Sequence, residues 1–516
     1  MEDQLNTQVL IVGAGPTGLM AANQLMRFGI DFIIVDKKSG PTIESRAILV
    51  TSRSLEIYQQ MGLSDHVGSN GKKITMFNLF RNGKAAGKVE IGEVGKGLSD
   101  FTYMLAFEQF KNERLLSELL DKANKSVLWE HEYIRLLDYT DTVKAIVKNK
   151  EHELQINASY LIACDGASSP VRHELDFSFN GGTYTHKFFV ADTIINWDHG
   201  FDKLIVAPGR KNFCALMPIS ETDSYRVIGT LPKKVSKQEN ITFNDIQAVV
   251  KKTLKTRIEF KVVNWFSIYK LHHRAVDHFQ QGKVFLAGDS AHIHSPAGGQ
   301  GMNTGLQDAY NLCWKLAMVL KNQAPERLLH TYNEERLPFA KWLLKFTDRG
   351  FTIMTSRNWF VKFARKFIIL PLAALMLKKE RWKKKVFPVV SQIGYSYWDG
   401  DLAIDSSDKD LKFRAGDRFP YFQEDNLHLK MNHPGFHYVH IGEEPMTEEQ
   451  IAGVRKIFPG EIYFIEDQNT AKWKKHGVDG ELTILVRPDN YIGLIADEPD
   501  LVQLDDYLYK VGLKNT

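Results

Sequence analysis

At 516 residues the chain is longer than one compact core supports, so its length predicts two or three domains. A composition with 43% hydrophobic and 25% charged residues is that of a globular protein and excludes the disordered and fibrous classes. The formal net charge of +4 is small for this length, so we expect no nucleic-acid partner.

The compartment and the membrane relation follow from a few simple features. The chain has three cysteines: Cys164, Cys214 and Cys313. They form neither a C-x-x-C pair nor a disulfide framework, which favours a reducing compartment. Residues 1–8 are polar and lack the pattern of a secretory signal. The longest apolar run, 367–377, is shorter than the roughly 20 residues that span a bilayer. We therefore expect a cytoplasmic protein.

The first segment has the pattern of a strand, a glycine turn, a helix and a second strand. Residues 9–12 are apolar, as in a strand buried on both faces. Helical periodicity over 19–26 then ends near Gly29, and a second apolar strand over 32–35 ends at Asp36. This order predicts a parallel βαβ unit.

The turn after the first strand carries a dinucleotide-binding pattern. Its residues are Gly13, Gly15, Pro16, Thr17 and Gly18. Gly13 allows a tight turn, Gly15 lets a diphosphate approach the backbone, and Gly18 lets helix and strand pack closely. The N–H groups at the helix start favour the diphosphate. Asp36, with Lys37 beside it, lies where a carboxylate can accept hydrogen bonds from ribose. The pattern does not distinguish FAD from NAD.

Two later strands also end in glycine–aspartate turns, one at Asp165-Gly166 and one at Gly288-Asp289. Both strands are predicted to join the same sheet, with the turns facing a ligand at their carboxyl ends. Residues 176–275 between them alternate between apolar and polar side chains, which predicts an inserted, mostly antiparallel sheet.

The second of these turns opens a longer motif that enters a helix predicted over 303–320. The motif continues through Pro296, Gly299, Gly301, Met302 and Asn303. Its aspartate can hold a polyol hydroxyl, and its glycines keep side chains away from a flat ring. N–H groups at the helix start can stabilise negative charge on the pyrimidine end of a reduced flavin. This motif favours FAD.

Taken together, these motifs resemble those of the class A flavoprotein monooxygenases, the para-hydroxybenzoate hydroxylase and phenol hydroxylase group. The match is closest to aromatic polyketide hydroxylases with an added C-terminal domain, and it covers about residues 8–345 most strongly. Further matching segments are Ser45-Arg46-Ala47, Gln109 with Glu113-Arg114, Cys164 to Arg172, Gln307 to Leu316 and Tyr332 to Pro338.

The resemblance implies an FAD enzyme that consumes NADPH or NADH and O2 and hydroxylates an aromatic or polyketide-like small molecule. In that family a C4a-hydroperoxide of the flavin passes oxygen to an electron-rich carbon. Pro296 would be the catalytic residue beside the flavin. The implied cofactor contacts are Asp289 to the ribityl chain, Arg46 and Gln109 to FAD, and Asp165 and Gly166 to both FAD and NAD(P)H. The choice of substrate, and a catabolic, biosynthetic or resistance role, stay open.

We expect an α/β protein with a Rossmann-like FAD-binding domain, an inserted antiparallel substrate domain and a thioredoxin-like α/β tail. The predicted segments are 1–175 and 276–350 for the FAD-binding domain, 176–275 for the substrate sheet, 351–395 for a basic helical connector and 396–516 for the tail. The tail has no cysteine, so thiol redox chemistry there is excluded and a structural or self-associating role, such as a homodimer contact, is expected.

Several residues keep two interpretations. Met217 and Arg226 could line the substrate cavity or be ordinary sheet residues. His292 and His294 could poise a proton near the flavin, although such histidines more often satisfy backbone groups in a loop. No third ligand accompanies them at useful spacing, so no metal is expected.

The segment from Arg357 to Lys385 holds ten Lys or Arg and one acidic residue, Glu380. A solvated connector is the favoured interpretation, and docking on an anionic membrane surface is the alternative.

Two rival functions also remain. A flavin-dependent halogenase shares this fold, but Asn264-Trp265-Phe266 does not supply its Trp-x-Trp-x-Ile-Pro signature. The other rival is a flavin-loaded protein that sequesters its ligand without turnover.

Overall fold

The computed structural model of the protein describes residues 3–43, 47–81, 83–150, 152–209, 212–220, 223–232, 234–294, 299–355, 358–369, 372 and 380–514. The strands are β1 Asp3–Val12, β2 Phe32–Asp36, β3 Leu49–Val50, β4 Lys72–Ile74, β5 Met76–Arg81, β6 Lys84–Glu90, β7 Met104–Ala106, β8 Leu128–Trp129, β9 Glu132–Asp138, β10 Val143–Lys148, β11 Glu153–Ala163, β12 Asn180–Trp197, β13 Lys203–Pro208, β14 Phe213–Pro218, β15 Ser224–Thr230, β16 Ile258–Ala275, β17 Gln280–Gln281, β18 Val284–Leu286, β19 His292–Ile293, β20 Ile404–Asp405, β21 Phe436–Ile441, β22 Ile462–Asp467, β23 Leu482–Val486 and β24 Ile492–Ala496.

The α-helices are α1 Pro16–Arg27, α2 Ser52–Gln60, α3 Ser64–Asn70, α4 Ile91–Gly95, α5 Gln109–Lys122, α6 Pro170–Glu174, α7 Phe243–Leu254, α8 Gln300–Leu320, α9 His330–Thr355, α10 Trp359–Ala364, α11 Glu380–Val390, α12 Glu448–Ile457, α13 Thr470–Lys474 and α14 Leu501–Lys510. A π-helical turn, Arg365–Ile369, follows α10 directly.

The parallel sheet predicted for the FAD-binding domain is confirmed. Its order is β17-β18-β11-β1-β2-β8, and β10 and β9 extend it beside β11. Val9 of β1 is in register with Phe32 of β2 and with Tyr160 of β11, while Leu161 of β11 pairs with Val284 of β18. The strands that precede the three glycine turns are therefore neighbours, and their carboxyl ends share one edge of the sheet.

Helix α8 begins at Gln300, three residues earlier than predicted, and is buried on nearly all sides. Leu306 and Cys313 belong to the core around the parallel sheet, whereas Trp314 and Met318 belong to a second cluster formed with the C-terminal domain. A helix that is buried on nearly all sides lies between two packed layers. The same helix therefore starts at the predicted flavin motif and forms part of the domain contact.

The inserted sheet has the order β19-β16-β12-β15-β14-β13-β5-β6. The predicted strands over 176–275 are present, but the sheet also takes in the hairpin β5–β6 from the first segment and β19 from the later one. Met76 of β5 pairs in parallel with Lys203 of β13. Without the hairpin, β13 would present an unpaired edge, so the hairpin satisfies its backbone groups.

The two faces of this sheet have different neighbours. One face packs against α7, where Phe243, Ile246 and Val250 meet alternate residues of the strands. The other face meets the FAD-binding domain, with Ile48 and Met104 in the shared cluster. The second face is therefore the surface that the inserted domain turns towards the glycine turns.

The C-terminal domain has a thioredoxin-like topology. β21, α12 and β22 form a parallel βαβ unit, and β23 and β24 follow as an antiparallel hairpin before α14. The sheet order is β20-β24-β23-β21-β22. The predicted strand over 482–486 is confirmed as β23.

A buried charge cluster joins this domain to the FAD-binding domain. Arg487 Nη2 donates to Glu335 Oε2 at 2.9 Å and to Asp489 Oδ2 at 2.6 Å. Lys315 of α8 donates to the same Glu335 oxygen at 2.7 Å, and burial lowers the pKa of Lys315 to about 8. Because a broken buried pair leaves an uncompensated charge, this contact ties the two domains into one folded unit.

Candidate FAD and substrate site

The first glycine turn is shaped by the protein on two sides and open on the third. Gly13 has φ +103°, and a Cβ there would overlap the carbonyl oxygen of Cys164. A Cβ on Gly18 would overlap the carbonyl oxygen of Gly13. A Cβ on Gly15 would meet nothing within 4 Å. Gly13 and Gly18 are therefore required by packing, whereas Gly15 borders space that a ligand can enter.

Helix α1 starts at this open space. Pro16 occupies its first turn, and the N-cap residue is Gly15, which has no side chain to cap the helix. The first N–H groups of a helix have no acceptor within the helix, so they favour an anion such as a diphosphate. This geometry fits the predicted dinucleotide.

Asp36 holds the turn in place. Its Oδ2 accepts from Ala14 N at 2.7 Å, and its Oδ1 accepts from Lys38 N at 2.9 Å. An ionised carboxylate has further lone pairs, so Asp36 can also accept from ribose hydroxyls, and that contact stays a prediction. Lys37 is exposed and pairs with Glu132 at 3.6 Å. Its predicted contact with the cofactor stays a prediction.

The second turn carries a carboxylate with one buried, open oxygen. Asp165 Oδ2 accepts from Val171 N at 3.2 Å, while Oδ1 has no hydrogen-bond partner among the described residues. Burial raises the pKa of Asp165 to about 6. Gly166 follows with φ +83°. A ligand hydroxyl would supply the missing partner, which fits the predicted role of this turn.

The third turn meets the first through Thr17 of α1. A Cβ on Gly288 would lie 2.5 Å from Thr17 Oγ1, and a Cβ on Gly305 of α8 would overlap the same oxygen. Asp289 is exposed on this turn. Together with the contact of Gly13 to Cys164, this packing brings all three turns to one place, as the sequence predicts.

The start of α8 is anchored by Asn303 and open at Gly301. Asn303 Oδ1 accepts from Thr51 N at 2.9 Å, and Nδ2 donates to the carbonyl oxygens of Leu49 and Gly299 at 2.8 Å each. Asn303 is thus a positioning residue, because its amide is committed to the protein. A Cβ on Gly301 meets nothing within 4 Å, and Met302 beside it is half-buried.

Gln109 organises the loop that precedes β3. Its Oε1 accepts from Ala47 N at 3.2 Å, and its Nε2 donates to Glu113 Oε1 at 2.9 Å. The other oxygen of Glu113 accepts from Thr42 N at 2.7 Å. These bonds hold both ends of the segment that carries Arg46. Arg46 and Pro296 themselves lie outside the described residues, so their roles stay predictions.

A buried chain of side chains adjoins the third turn. Asp308 of α8 accepts from Arg336 Nε at 2.8 Å and bonds His292 Nε2 at 2.7 Å. His292 Nδ1 in turn bonds His294 Nε2 at 2.8 Å. The interpretation that these histidines satisfy backbone groups is wrong, because their partners are a carboxylate and each other. From the sequence, no role was predicted for Asp308 or Arg336. Charged residues on buried helices are typical of an ion pair such as this one, and they were the available signal.

The direction of one hydrogen bond in this chain follows from the charge of Asp308. Burial raises the pKa of Asp308, but the charges of Arg336 and then His292 outweigh it and hold the pKa below the usual range. Asp308 is therefore an acceptor, and His292 Nε2 donates to it. Burial lowers the pKa of His294 well below its usual value, so His294 is neutral, and the tautomers of the two rings set which of them donates in the bond between His294 Nε2 and His292 Nδ1. His294 Nδ1 is buried and has no partner in the described part of the chain.

The inserted sheet presents a row of side chains on the face towards the FAD-binding domain. The row crosses the neighbouring strands β14, β15, β12 and β16 and consists, in that order, of Met217, Arg226, Asp192 and Trp265. Fully buried Arg226 donates from Nε and Nη2 to the two oxygens of Asp192, at 2.8 and 2.7 Å. Its guanidinium carbon lies 5.4 Å from the Trp265 ring centroid. Asp192 was missed in the sequence because its partner is distant along the chain.

Apolar residues surround this row. Met217 packs in a cluster with residues of the FAD-binding domain, among them Leu49 and Ala106, and with Tyr269 at its margin. Burial raises the pKa of Tyr269 to about 12, so its phenol stays protonated at neutral pH. The sheet face thus combines aromatic and aliphatic surface with one charged pair, which is the composition of a small-molecule site.

Comparison with known proteins agrees with this geometry. Residues 6–347 match the family described as FAD binding domain. The chain is 29% identical to 6-methylpretetramide 4-monooxygenase of Streptomyces rimosus over 78% of this chain and 72% of that protein. It is 30% identical to a rifampicin monooxygenase of Streptomyces venezuelae over 67% of this chain and 72% of that one. The solved structure of OxyS anhydrotetracycline hydroxylase from Streptomyces rimosus superposes with a TM-score of 0.79, at 23% identity, covering 99% of this chain and 100% of that one.

The fold and the converging turns define a flavoprotein with a dinucleotide-binding domain, an inserted sheet and a thioredoxin-like tail. The chain belongs to the FAD-binding-domain family, and it is a flavoprotein monooxygenase.

Proposed function

We propose that this monooxygenase uses FAD, NADPH or NADH, and O2 to hydroxylate an aromatic or polyketide-like small molecule. The observation that carries the proposal is the meeting of the three glycine turns at one sheet edge, opposite an apolar sheet face with a single charged pair. The relatives named above, whose names include a pretetramide and rifampicin, support a multi-ring substrate.

The residues around the turns can hold FAD by ordinary chemistry. The start of α1 beside Gly15 binds the diphosphate, and the carboxylates of Asp36, Asp165 and Asp289 accept hydrogen bonds from hydroxyls. The start of α8 beside Gly301 offers N–H groups to the ring system. When bound, FAD supplies the redox chemistry between NAD(P)H and O2.

The sheet face would orient the substrate. Trp265, Tyr269 and Met217 offer apolar and aromatic surface that excludes water from the site. The Arg226–Asp192 pair gives an oxygen-bearing substrate one polar contact to align against, because both ends of the pair are held rigidly by the bidentate bond.

The histidine chain can hold a proton at a defined atom. In the tautomer of His294 that carries its proton on Nε2, a proton taken up at Nδ1 allows the Nε2 proton to pass to His292 Nδ1, which places the positive charge beside Asp308. The geometry supports this transfer because each step is one hydrogen bond long.

A purified sample tests the proposal directly. We expect a yellow protein whose NAD(P)H oxidation accelerates with a substrate found among phenols, anthracyclines, tetracyclines and rifamycins, with one oxygen atom added to the product. A colourless protein that takes up no FAD would contradict it. Tight substrate binding without oxygen uptake would instead favour the sequestering protein, and chloride-dependent product would favour a halogenase.

A matched pair of variants tests the FAD site. Asp289→Ala should weaken FAD binding at least about tenfold, since a hydrogen bond to a charged group is lost. Asp141→Ala, which removes an exposed aspartate between β9 and β10, is the control and should keep full FAD content. If both variants have the same flavin content, Asp289 does not contact FAD.

A further inference from the structure

Helix α10 turns its largest apolar side chains outwards. Trp359 and Phe360 are each 65% exposed, Phe363 is 51% exposed, and Phe367 in the following π-helical turn is 54% exposed. At about 100° per residue, these four positions fall on roughly one third of the helix circumference. We call them the aromatic face. A helix on a globular body ordinarily buries such a stripe, so the aromatic face needs a different explanation.

The rings of the aromatic face lie in two close pairs. The ring centroids of Trp359 and Phe360 lie 4.0 Å apart, and those of Phe363 and Phe367 lie 4.8 Å apart. Further exposed apolar side chains follow in the same stretch of chain: Ile368, Leu372, Trp382 and Val386. Scattered exposed apolar residues need no explanation, but a concentration of large ones marks an interaction site.

The charge of the same stretch identifies the partner. The segment from Arg357 to Lys385 has ten basic residues and one acidic residue, so its net charge is 10 − 1 = +9. The whole chain carries +4, so the remainder carries 4 − 9 = −5. Two copies of such a basic segment would repel each other, which disfavours a dimer through this face. Exposed Trp and Phe combined with many Lys and Arg match the interface of an anionic bilayer.

We propose that residues 358–369 and 380–390 bind the surface of an anionic membrane, with α10 in the plane of the interface and its aromatic face inserted. The basic residues of the segment contact the lipid headgroups. No helix within the described ranges has the length and apolar character to cross a bilayer. The proposal thus takes up membrane docking, the alternative to the solvated connector that the sequence favoured.

The membrane-binding segment is joined to the candidate site. α11 ends at Val390, whose carbonyl oxygen accepts from Gln300 Nε2 at 3.1 Å, at the start of α8. The next residue, Ser391, accepts from Arg53 N at 3.1 Å. Val390 also packs at the margin of the cluster that holds Met217. If the proposed function holds, a lipophilic substrate dissolved in the membrane lies close to the site; the membrane contact itself does not depend on that function.

Vesicle co-sedimentation of the full-length, FAD-loaded protein tests the proposal. The probes are vesicles of phosphatidylcholine alone and of phosphatidylcholine mixed with phosphatidylglycerol. We expect at least about tenfold stronger binding to the anionic vesicles, weakened by added salt because headgroup attraction is screened. Binding to neither vesicle would overturn the proposal.

Variants separate the two parts of the contact. Trp359→Ser with Phe363→Ser should weaken binding at least about tenfold, since less apolar surface enters the interface. Replacing Lys383, Lys384 and Lys385 by glutamine should reduce the preference for anionic lipid. The control is Leu429→Ser with Tyr509→Ser, which removes side chains that are 57% and 52% exposed on the C-terminal domain, and which should bind as the wild type does.

A folding control and two further outcomes decide whether the aromatic face binds a membrane or a second copy of the chain. FAD content and circular dichroism should be unchanged in all three variants, which shows that they fold. If the wild type is a dimer in lipid-free chromatography and the double aromatic variant is a monomer, the face belongs to a second copy and the proposal fails. It also fails if the variants and the wild type sediment equally. Turnover of NAD(P)H is measured separately, so a failed membrane contact leaves the proposed function intact.

Discussion

The two halves of the candidate site are built differently. At the edge of the parallel sheet, backbone approaches backbone: Gly13 packs on Cys164 and Gly18 packs on Gly13. On the inserted sheet, the surface is made of side chains, chiefly the Arg226–Asp192 pair. Substitutions at the turns should therefore change folding and cofactor binding, whereas substitutions on the sheet face should change the response to substrate.

Gly18→Ala tests the backbone half with the largest expected effect. The new Cβ overlaps the carbonyl oxygen of Gly13, so the helix and the strand cannot keep their distance. We expect the apoprotein to lose about 4 kcal/mol or more of unfolding free energy, measured in urea, and to bind no FAD.

Gly15→Ala is the matched control for that substitution. Its Cβ meets no protein atom within 4 Å, so the unfolding free energy should stay within about 1 kcal/mol of the wild type. FAD affinity should nevertheless fall at least about tenfold, because the Cβ occupies the space of the diphosphate. Full FAD affinity in this variant would place the dinucleotide elsewhere.

Arg226→Met tests the side-chain half. Removing one partner of a buried pair leaves the Asp192 carboxylate uncompensated, at a cost of about 3 kcal/mol in unfolding free energy. The double variant with Asp192→Leu should recover most of that stability. We expect it not to recover substrate-stimulated NAD(P)H oxidation. If the double variant recovers both its stability and its substrate-stimulated NAD(P)H oxidation, the Arg226–Asp192 pair has only a structural role.

Asp165→Asn tests the electrostatic effect of a buried carboxyl on the second turn. Because burial raises its pKa to about 6, this carboxyl binds more protons in the folded apoprotein than in the unfolded chain in mildly acidic solution. The contribution of Asp165 to wild-type stability should therefore fall as pH rises through this window, by about 3 kcal/mol in all, and then level off. The unfolding free energy of the wild type minus that of Asp165→Asn, measured in urea from about pH 4 to about pH 7, should fall with this slope. A flat difference would contradict it.

Met217→Leu should have the smallest effect. A volume-conserving change costs less than about 1.5 kcal/mol, yet it reshapes the sheet face. We expect the KM for substrate to shift less than about tenfold, with kcat nearly constant. Met318→Leu, in the cluster shared with the C-terminal domain, is the control and should leave the KM unchanged.

Much of the backbone half could be predicted from the sequence. Gly13, Gly18 and Gly288 are each needed where the backbone makes a tight turn or approaches another segment closely. The position of each glycine in its motif indicates this need. Adjacency of the three strands also followed, since apolar strands that end in such turns belong to one parallel sheet. The pairing of β1, β11 and β18 confirms it.

The hairpin β5–β6 was missed although it carries a local signal. Asn82-Gly83 in the sequence is typical of a hairpin turn. Its pairing with β13, however, joins two distant parts of the chain, and nothing local specifies that partner. The same reason hid the pairing of Asp192 with Arg226 and of Asp308 with Arg336.

The sequence alone determined the class of fold, the three turns and the preference for FAD, because each depends on short-range stereochemistry written in consecutive residues. Only the tertiary structure decided which charges meet in the interior, that Asn303 anchors a helix, that the two histidines bond in series, and that α10 faces outwards. These features depend on which distant surfaces pack together, and packing is a property of the whole chain.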